Sequence, residues 1–284
     1  METSMTDKIC IVTGASSGIG ITTAEGLAAQ GATVVMACRD LEKSRPVQDQ
    51  IKENTGSNKI DLLQLDLASL ASIRDFANNF LETYPRLDVL INNAAIIPLS
   101  RQETQDGFES QFGVNHLGPF LLTHLLLDRI KESAPSRIVN VTSIMHHQGA
   151  IDFDNLQSEK KYGTLDAYRQ SKLGNVLFTY ELARRLEGSG VTVNCLHPGV
   201  VNTGIARSVP FFLQPLVKLA GKFFMLSPEQ GAATSLYVST SPDLDGITGK
   251  FFNESKETRS SKLSQDEDLA QRLWDVSENL TGIA

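Results

Sequence analysis

Residues 8–38 constrain the fold more than any other stretch. Lys8-Ile9-Cys10-Ile11-Val12-Thr13 is an apolar run of strand length, and Gly14-Ala15-Ser16-Ser17-Gly18-Ile19-Gly20 places three glycines in seven residues. A helical pattern follows over 18–30 and a second strand over 33–38. Glycines at 14, 18 and 20 permit a tight strand-to-helix turn and close approach of backbone to a pyrophosphate. They also leave helix N–H groups facing an anion. A glycine cluster alone is equally an ordinary βα turn; the flanking strand, helix and strand supply a βαβ frame for a dinucleotide.

Strand and helix patterns keep alternating to the C-terminal part. Strands are expected over 59–65, 88–92, 137–143, 191–197 and around 250–253. Helices are expected over 41–54, from near 69, over 108–131 with strain at Gly118-Pro119, over 165–187 and over 228–240. No repeat, low-complexity tract or linker interrupts them. With 284 residues and 41% apolar content, the chain can bury one large core. The expectation is one α/β domain over 1–284: a doubly wound Rossmann fold with about seven parallel strands and helices on both faces.

The end of the second strand bears on which dinucleotide fits. An acidic residue there would bond an adenosine ribose 2′-OH and repel a 2′-phosphate. This chain has Cys38-Arg39 instead, with Lys43 one turn into the next helix. Guanidinium geometry suits a phosphate dianion, which favours NADP(H). The plain reading makes Arg39 a solvated cation and Asp40 a helix cap.

Further along, Tyr168-Arg169-Gln170-Ser171-Lys172 spaces a phenol and an ammonium four residues apart, so a helix stacks them on one face. A unit charge about 4 Å away, at an effective dielectric of about 20, is worth roughly 4 kcal/mol. That attraction would draw the phenol toward neutrality, less what desolvation takes back. Ser143 lies upstream at the end of a Val/Ile-rich strand. Taken alone, the pair is an unremarked feature of an amphipathic helix.

Together these residues resemble the short-chain dehydrogenase/reductase superfamily over essentially the whole chain. The matching stretches are Thr13 to Gly20, Asn92-Asn93-Ala94, Asn115, Ser143, Tyr168 to Lys172 and Pro198-Gly199. Within it, the likeness is greatest to NADP-dependent retinol dehydrogenases and their microbial and plant relatives. It is carried by Ala37-Cys38-Arg39-Asp40, Val114-Asn115-His116-Leu117-Gly118, Ser136 to Val141, Ser171-Lys172-Leu173 through Glu181 to Leu186, and Leu196-His197-Pro198-Gly199-Val200-Val201.

The resemblance implies that Tyr168 exchanges a proton with the substrate oxygen while Ser143 hydrogen-bonds that oxygen. It implies that Lys172 lowers the Tyr168 pKa and holds the nicotinamide ribose, and that Asn115 anchors a water linking Lys172 to solvent. Cofactor contacts implied by the same matching are Gly14, Ser16, Ser17, Gly18, Ile19 and Gly20 at the turn, then Arg39 and Lys43, then Asp66 and Leu67 at the adenine. Asn92 and Ala94 would line the groove, and Pro198, Gly199, Val201 and Thr203 would sit at the nicotinamide with Tyr168 and Lys172. Plainer readings make Asp66 a cap for the helix starting near Ser69 and Asn92-Asn93 a turn.

Two positions depart from the pattern. Ala95 replaces the usual glycine, adding a methyl and disfavouring positive φ. The Asn-Ala-Ala run also occurs in light-dependent protochlorophyllide reductases, the alternative enzyme reading; a catalytically silent NADP-binding sensor or scaffold is a third. Gly174 replaces alanine inside the helix of Tyr168, at about 1 kcal/mol.

A net charge of −7 disfavours a nucleic-acid surface. Cys10, Cys38 and Cys195 sit in or at the ends of apolar strands as buried, reduced thiols, and no residue set has metal-site spacing. His146 and His147 read as a polar loop or as substrate-entrance residues. The apolar stretch 205–226 reads as part of a lid near 204–228 over a lipophilic alcohol or carbonyl substrate, with core packing and peripheral membrane contact as the other readings. No signal peptide or spanning segment is visible, so a cytoplasmic location is expected. The resemblance further implies a homo-oligomer built through the helices of 108–131 and 165–187.

Overall fold

The computed structural model describes residues 4–199 and 227–283. Val201, Thr203 and nearly all of the expected lid lie outside the described residues; Ser227 and Pro228 begin a helix.

Strands β1 (Ile9–Thr13), β2 (Thr33–Cys38), β3 (Ile60–Gln64), β4 (Val89–Asn92), β5 (Ser136–Val141), β6 (Val191–His197), β7 (Phe251–Asn253) and β8 (Lys256–Thr258) form one sheet in the order β3-β2-β1-β4-β5-β6-β7-β8. Seven strands are parallel, with Ile11 beside both Val35 and Leu90. Connections run outward through β2 and β3, then return to place β4 on the other side of β1. The crevice beyond the C-terminal ends of β1 and β4 is therefore the topological switch point where open α/β sheets bind ligands.

The α-helices among the described residues are α1 (Ile19–Ala29), α2 (Leu41–Thr55), α3 (Leu70–Thr83), α4 (Ser110–Phe112), α5 (Gly118–Glu132), α6 (Thr164–Arg185), α7 (Pro228–Thr240) and α8 (Glu267–Thr281). Period-two alternation sends Ile9 and Ile11 to one face, against α3 and α5, and Cys10 and Val12 to the other, against α1 and α7. Both faces are covered, which is why the central strands are mostly apolar.

Three features differ from expectation. An eighth strand, β8, pairs antiparallel with β7. Its turn places Glu254 and Ser255 at φ 50° and 58° without the Asn-Gly signature that advertises a hairpin. The irregularity in the 108–131 helix precedes Gly118-Pro119: Gly113–Leu117 forms a π-helical turn, while Pro119 sits in the first turn of α5, where its missing N–H is harmless.

Helix α8, absent from the sequence reading, packs on α6. Trp274 meets Phe120 at 5.1 Å and His124 at 4.8 Å between ring centroids, and the Arg185 guanidinium lies 4.0 Å from the indole. Residues Gln170 to Thr179 of α6 are buried on all sides within one chain. Among the described residues, no helix is long and apolar enough to cross a membrane.

Candidate active site

The glycine turn is built for close approach. Gly14 and Gly18 have φ of 66° and 52°, where a side chain is strained. A Cβ on Gly20 would collide with the Gly14 carbonyl oxygen and with Asn93 Nδ2. Helix α1 begins at Gly18 with no side-chain cap and no acidic residue in its first turn. Its positive dipole end meets a crevice lined by Gly14, Ser17, Gly18 and Ile19. These features fit a pyrophosphate.

Thr13 ties the turn to β4. Its hydroxyl receives the Asn93 and Ala94 N–H groups at 2.9 and 3.0 Å, and its carbonyl receives Asn93 Nδ2 at 2.8 Å. Strand alternation decides which asparagine faces the groove. Asn92 points inward, donating from Nδ2 to Asn140 Oδ1 and Thr123 Oγ1 at 2.9 and 3.1 Å. Asn93, Ala94 and Ala95 line the cleft, whereas the Asn92 side chain, expected there, is buried. Ala95 avoids positive φ, so its methyl adds bulk without backbone strain.

Beyond the end of β3, Asp66 Oδ1 accepts from the Ala68 N–H at 3.0 Å, whereas Ser69 caps α3. Leu67 is buried against Gly118. Ser16 is partly buried beside Cys38. Arg39 is exposed at the end of β2 and has no ion-pair partner among the described residues. The Lys43 ammonium lies 2.6 Å from Asp40 Oδ2, and Asp40 also caps α2 through the Lys43 N–H.

On the opposite wall the cleft, about 390 Å³ in volume, is lined by Val141, Thr142, Ser143, Tyr168 and Lys172, with His197, Pro198 and Gly199 closing the end. A reciprocal latch holds α6 against the β5 end: Thr142 Oγ1 donates to the Lys172 carbonyl at 2.8 Å, and Lys172 Nζ donates to the Val141 carbonyl at 3.0 Å. Lys172 Nζ stands 5.6 Å from the Tyr168 ring centroid. Ser143 lies two residues past β5, capping the 3-10 turn Ile144–Gln148 through the Met145 N–H.

Burial raises the Tyr168 phenol above its usual pKa, and a hydrogen bond with the Ser143 hydroxyl pulls the other way. Burial also pushes the Lys172 ammonium down to about 8. Tyr168 is accordingly a protonated phenol near neutrality, the form that donates.

Asn115 lies in the π-helical turn. Its side chain receives the Ile96 N–H at 2.8 Å and donates to the Ile96 carbonyl and Ser171 Oγ, each at 3.1 Å. Its carbonyl receives Asn175 Nδ2 at 2.9 Å. The neighbouring His116 explains Gly174: a Cβ there would lie 3.1 Å from His116 Nδ1.

Residues Thr13, Asn93, Ile97, Ile144, Met145 and His197 were not singled out as site residues, though all but Thr13 line the cleft. Only their adjacency to motif residues could have marked them. A larger hollow of about 710 Å³ between the end of α6 and β7–β8 is solvent-open, with Arg184 near Glu267 and Lys250 against Glu257.

A doubly wound sheet carrying a glycine-lined dinucleotide crevice and a Ser–Tyr–Lys cluster defines a nicotinamide-dependent oxidoreductase. The chain belongs to the short chain dehydrogenase family, whose profile matches residues 8–211. It is 45% identical to human retinol dehydrogenase 14 over 98% of this chain and 88% of that one. It is 48% identical to human retinol dehydrogenase 11, over 97% and 86%. Among solved structures, an uncharacterised protein from Mycobacterium paratuberculosis aligns with a TM-score of 0.81 at 35% identity, covering 99% of this chain and 95% of that one. A short chain dehydrogenase from Escherichia coli CFT073, crystallised with NADPH, aligns at 0.72 and 26%, over 90% and 100%. The chain is therefore an enzyme acting on CH–OH groups.

Proposed function

We propose that this enzyme reduces lipophilic aldehydes or ketones, retinal among them, to alcohols with NADPH, and runs the reverse reaction when alcohol and NADP are in excess. The observation that carries this is the placement of Ser143, Tyr168 and Lys172 on one wall of a cleft whose far end is the glycine turn. Retinol dehydrogenases among the relatives and NADPH in a neighbouring structure support the substrate class and the cofactor.

Bound NADPH supplies the hydride. Tyr168 gives its phenolic proton to the carbonyl oxygen as negative charge builds there. Ser143 donates to the same oxygen, where a fixed donor lowers the barrier most. Lys172, held by the Val141 carbonyl, orients the ribose hydroxyls, and Asn115 anchors the water that returns protons from solvent. Arg39, at the end of β2, receives the 2′-phosphate, with Lys43 beside it. The exposed side chains of Ile97 and Ile144 at the cleft suit an apolar substrate. We further propose that the enzyme works in the cytoplasm as one domain, with a substrate lid near 204–228.

The test is NADPH consumption over retinal, medium-chain and aromatic aldehydes, ketones and protochlorophyllide, in light and in darkness. Reduction of an aldehyde in darkness, lost in Tyr168→Phe, is the expected result. Turnover confined to illuminated protochlorophyllide, or undiminished in Tyr168→Phe, would reject the proposal.

A further inference from the structure

The histidine pair after Ser143 is split by the fold. His147 is exposed, whereas His146 is 0% exposed, with its ring 4.8 Å from Phe251 of β7 and 4.2 Å from His147 between centroids. Both nitrogens of the buried ring face backbone groups whose roles are fixed. Nδ1 lies 2.6 Å from the Ser143 carbonyl oxygen, which can only accept, so Nδ1 carries the proton. Nε2 receives the Ser261 N–H at 3.1 Å, so Nε2 is bare. The imidazole is thereby locked as one neutral tautomer bridging the residue at the cleft to a segment 115 positions away.

We infer that His146 is a positioning residue for the reaction: its Nδ1–H anchors the Ser143 peptide, and so fixes where the Ser143 hydroxyl points. Ser143 follows β5 by two residues, and its own hydroxyl already caps the turn through the Met145 N–H. The other donor to its carbonyl is the His146 N–H of the same turn, at 3.1 Å. His146 Nδ1 is the side-chain donor to that carbonyl, and it is braced from outside the turn by Ser261 and Phe251. A donor aimed at a developing oxyanion loses its value when displaced by a fraction of an ångström, and this brace prevents that displacement. A charged ring could not accept from Ser261, in keeping with a pKa lowered to about 4 by burial and by the neighbouring His147 and His197.

This inference rests on the reading of Ser143 given above, and the two can fail separately. Asparagine places its amide nitrogen where Nδ1 stands and keeps the donor to Ser143. Glutamine places its oxygen where Nε2 stands and keeps the acceptor for Ser261. His146→Asn, His146→Gln and His146→Phe are compared in retinal reduction with NADPH, in thermal unfolding and in the pH profile of retinol oxidation. Expected is a kcat about tenfold lower in the Gln and Phe variants, part of the 10²–10³ that losing an oxyanion donor outright costs, with KM for NADPH unchanged. The Asn variant keeps kcat near wild type although its Tm falls below that of the Gln variant. The oxidation profile of the Gln variant moves to higher pH, because the Ser143 contact that lowers the Tyr168 pKa is weakened. Wild-type kcat in His146→Gln, or kcat falling in step with Tm across the three variants, overturns the inference. Ser143→Ala in the same assays separates the cases: unchanged turnover there removes the reading of Ser143 itself. A large loss there beside an unaffected Gln variant removes only the role of the imidazole.

Discussion

Replacing Lys172 by methionine should make the cofactor-free protein more stable at neutral pH, although it removes a residue the proposed chemistry requires. Lys172 is 2% exposed, and burial alone lowers its pKa from 10.5 to about 8. Between those two values the unfolded chain holds a proton that the folded chain has released, so stability rises with pH across that window. Below about 8 both states are charged and the fold bears the whole cost of burying the cation, about 3 kcal/mol. Methionine removes that cost at similar length, but leaves the Val141 carbonyl without the donor now 3.0 Å away, a loss of about 1 kcal/mol. The expected balance is a variant about 2 kcal/mol more stable than wild type at pH 7. Above about pH 10.5 the wild-type amine is neutral in both states and keeps its hydrogen bond, so the sign reverses by about 1 kcal/mol. Urea unfolding of both proteins, measured in parallel from pH 7 to 10.5, reads the difference directly. A methionine variant less stable at pH 7, or a difference that does not shrink as pH rises, would refute the reasoning.

Arg39→Glu should weaken NADPH binding about 10- to 100-fold relative to NADH, the value of one or two charge-assisted bonds to a phosphate; unaltered selectivity in a fluorescence titration would count against the 2′-phosphate contact. Gly174→Ala should cost about 1 kcal/mol in urea unfolding despite the better helix propensity of alanine, because the new methyl meets His116 at 3.1 Å; a gain in stability would show that the ring has room to move. Trp274→Ala should cost about 3–5 kcal/mol by emptying the contact of α8 with Phe120, Phe178 and His124. Asp88 is buried, which alone would raise its carboxyl pKa, yet Arg86, the Ile9 N–H and Lys8 hold it below the usual range. Its contribution should therefore be present at neutral pH and lost as pH falls through its folded value, so Asp88→Asn should flatten the acid limb of the unfolding curve.

Much of this enzyme is written in short-range pattern. Apolar runs of strand length placed the seven parallel strands, and the spacing of glycines after the first gave the dinucleotide turn, because both depend on residues within one turn or strand. Four-residue spacing brought Tyr168 and Lys172 onto one face of α6 for the same reason. What the sequence alone left undecided depends on partners far away in the chain. Whether Asn92 or Asn93 faces the cleft was settled by the end of β4 and by Asn140 and Thr123. The lowered pKa of Lys172 follows from its burial, the fate of His146 from Ser261, and the need for Gly174 from a ring of the π-helical turn. Helix α8 closes the back of α6 with an indole that no periodicity in α6 announces, since a helix buried on every side does not say which element will cover it. Local propensity and spacing fix what each segment is. Burial, charge and the choice among neighbouring side chains are properties of the assembled fold, because desolvation and hydrogen-bond partners exist only once distant segments meet.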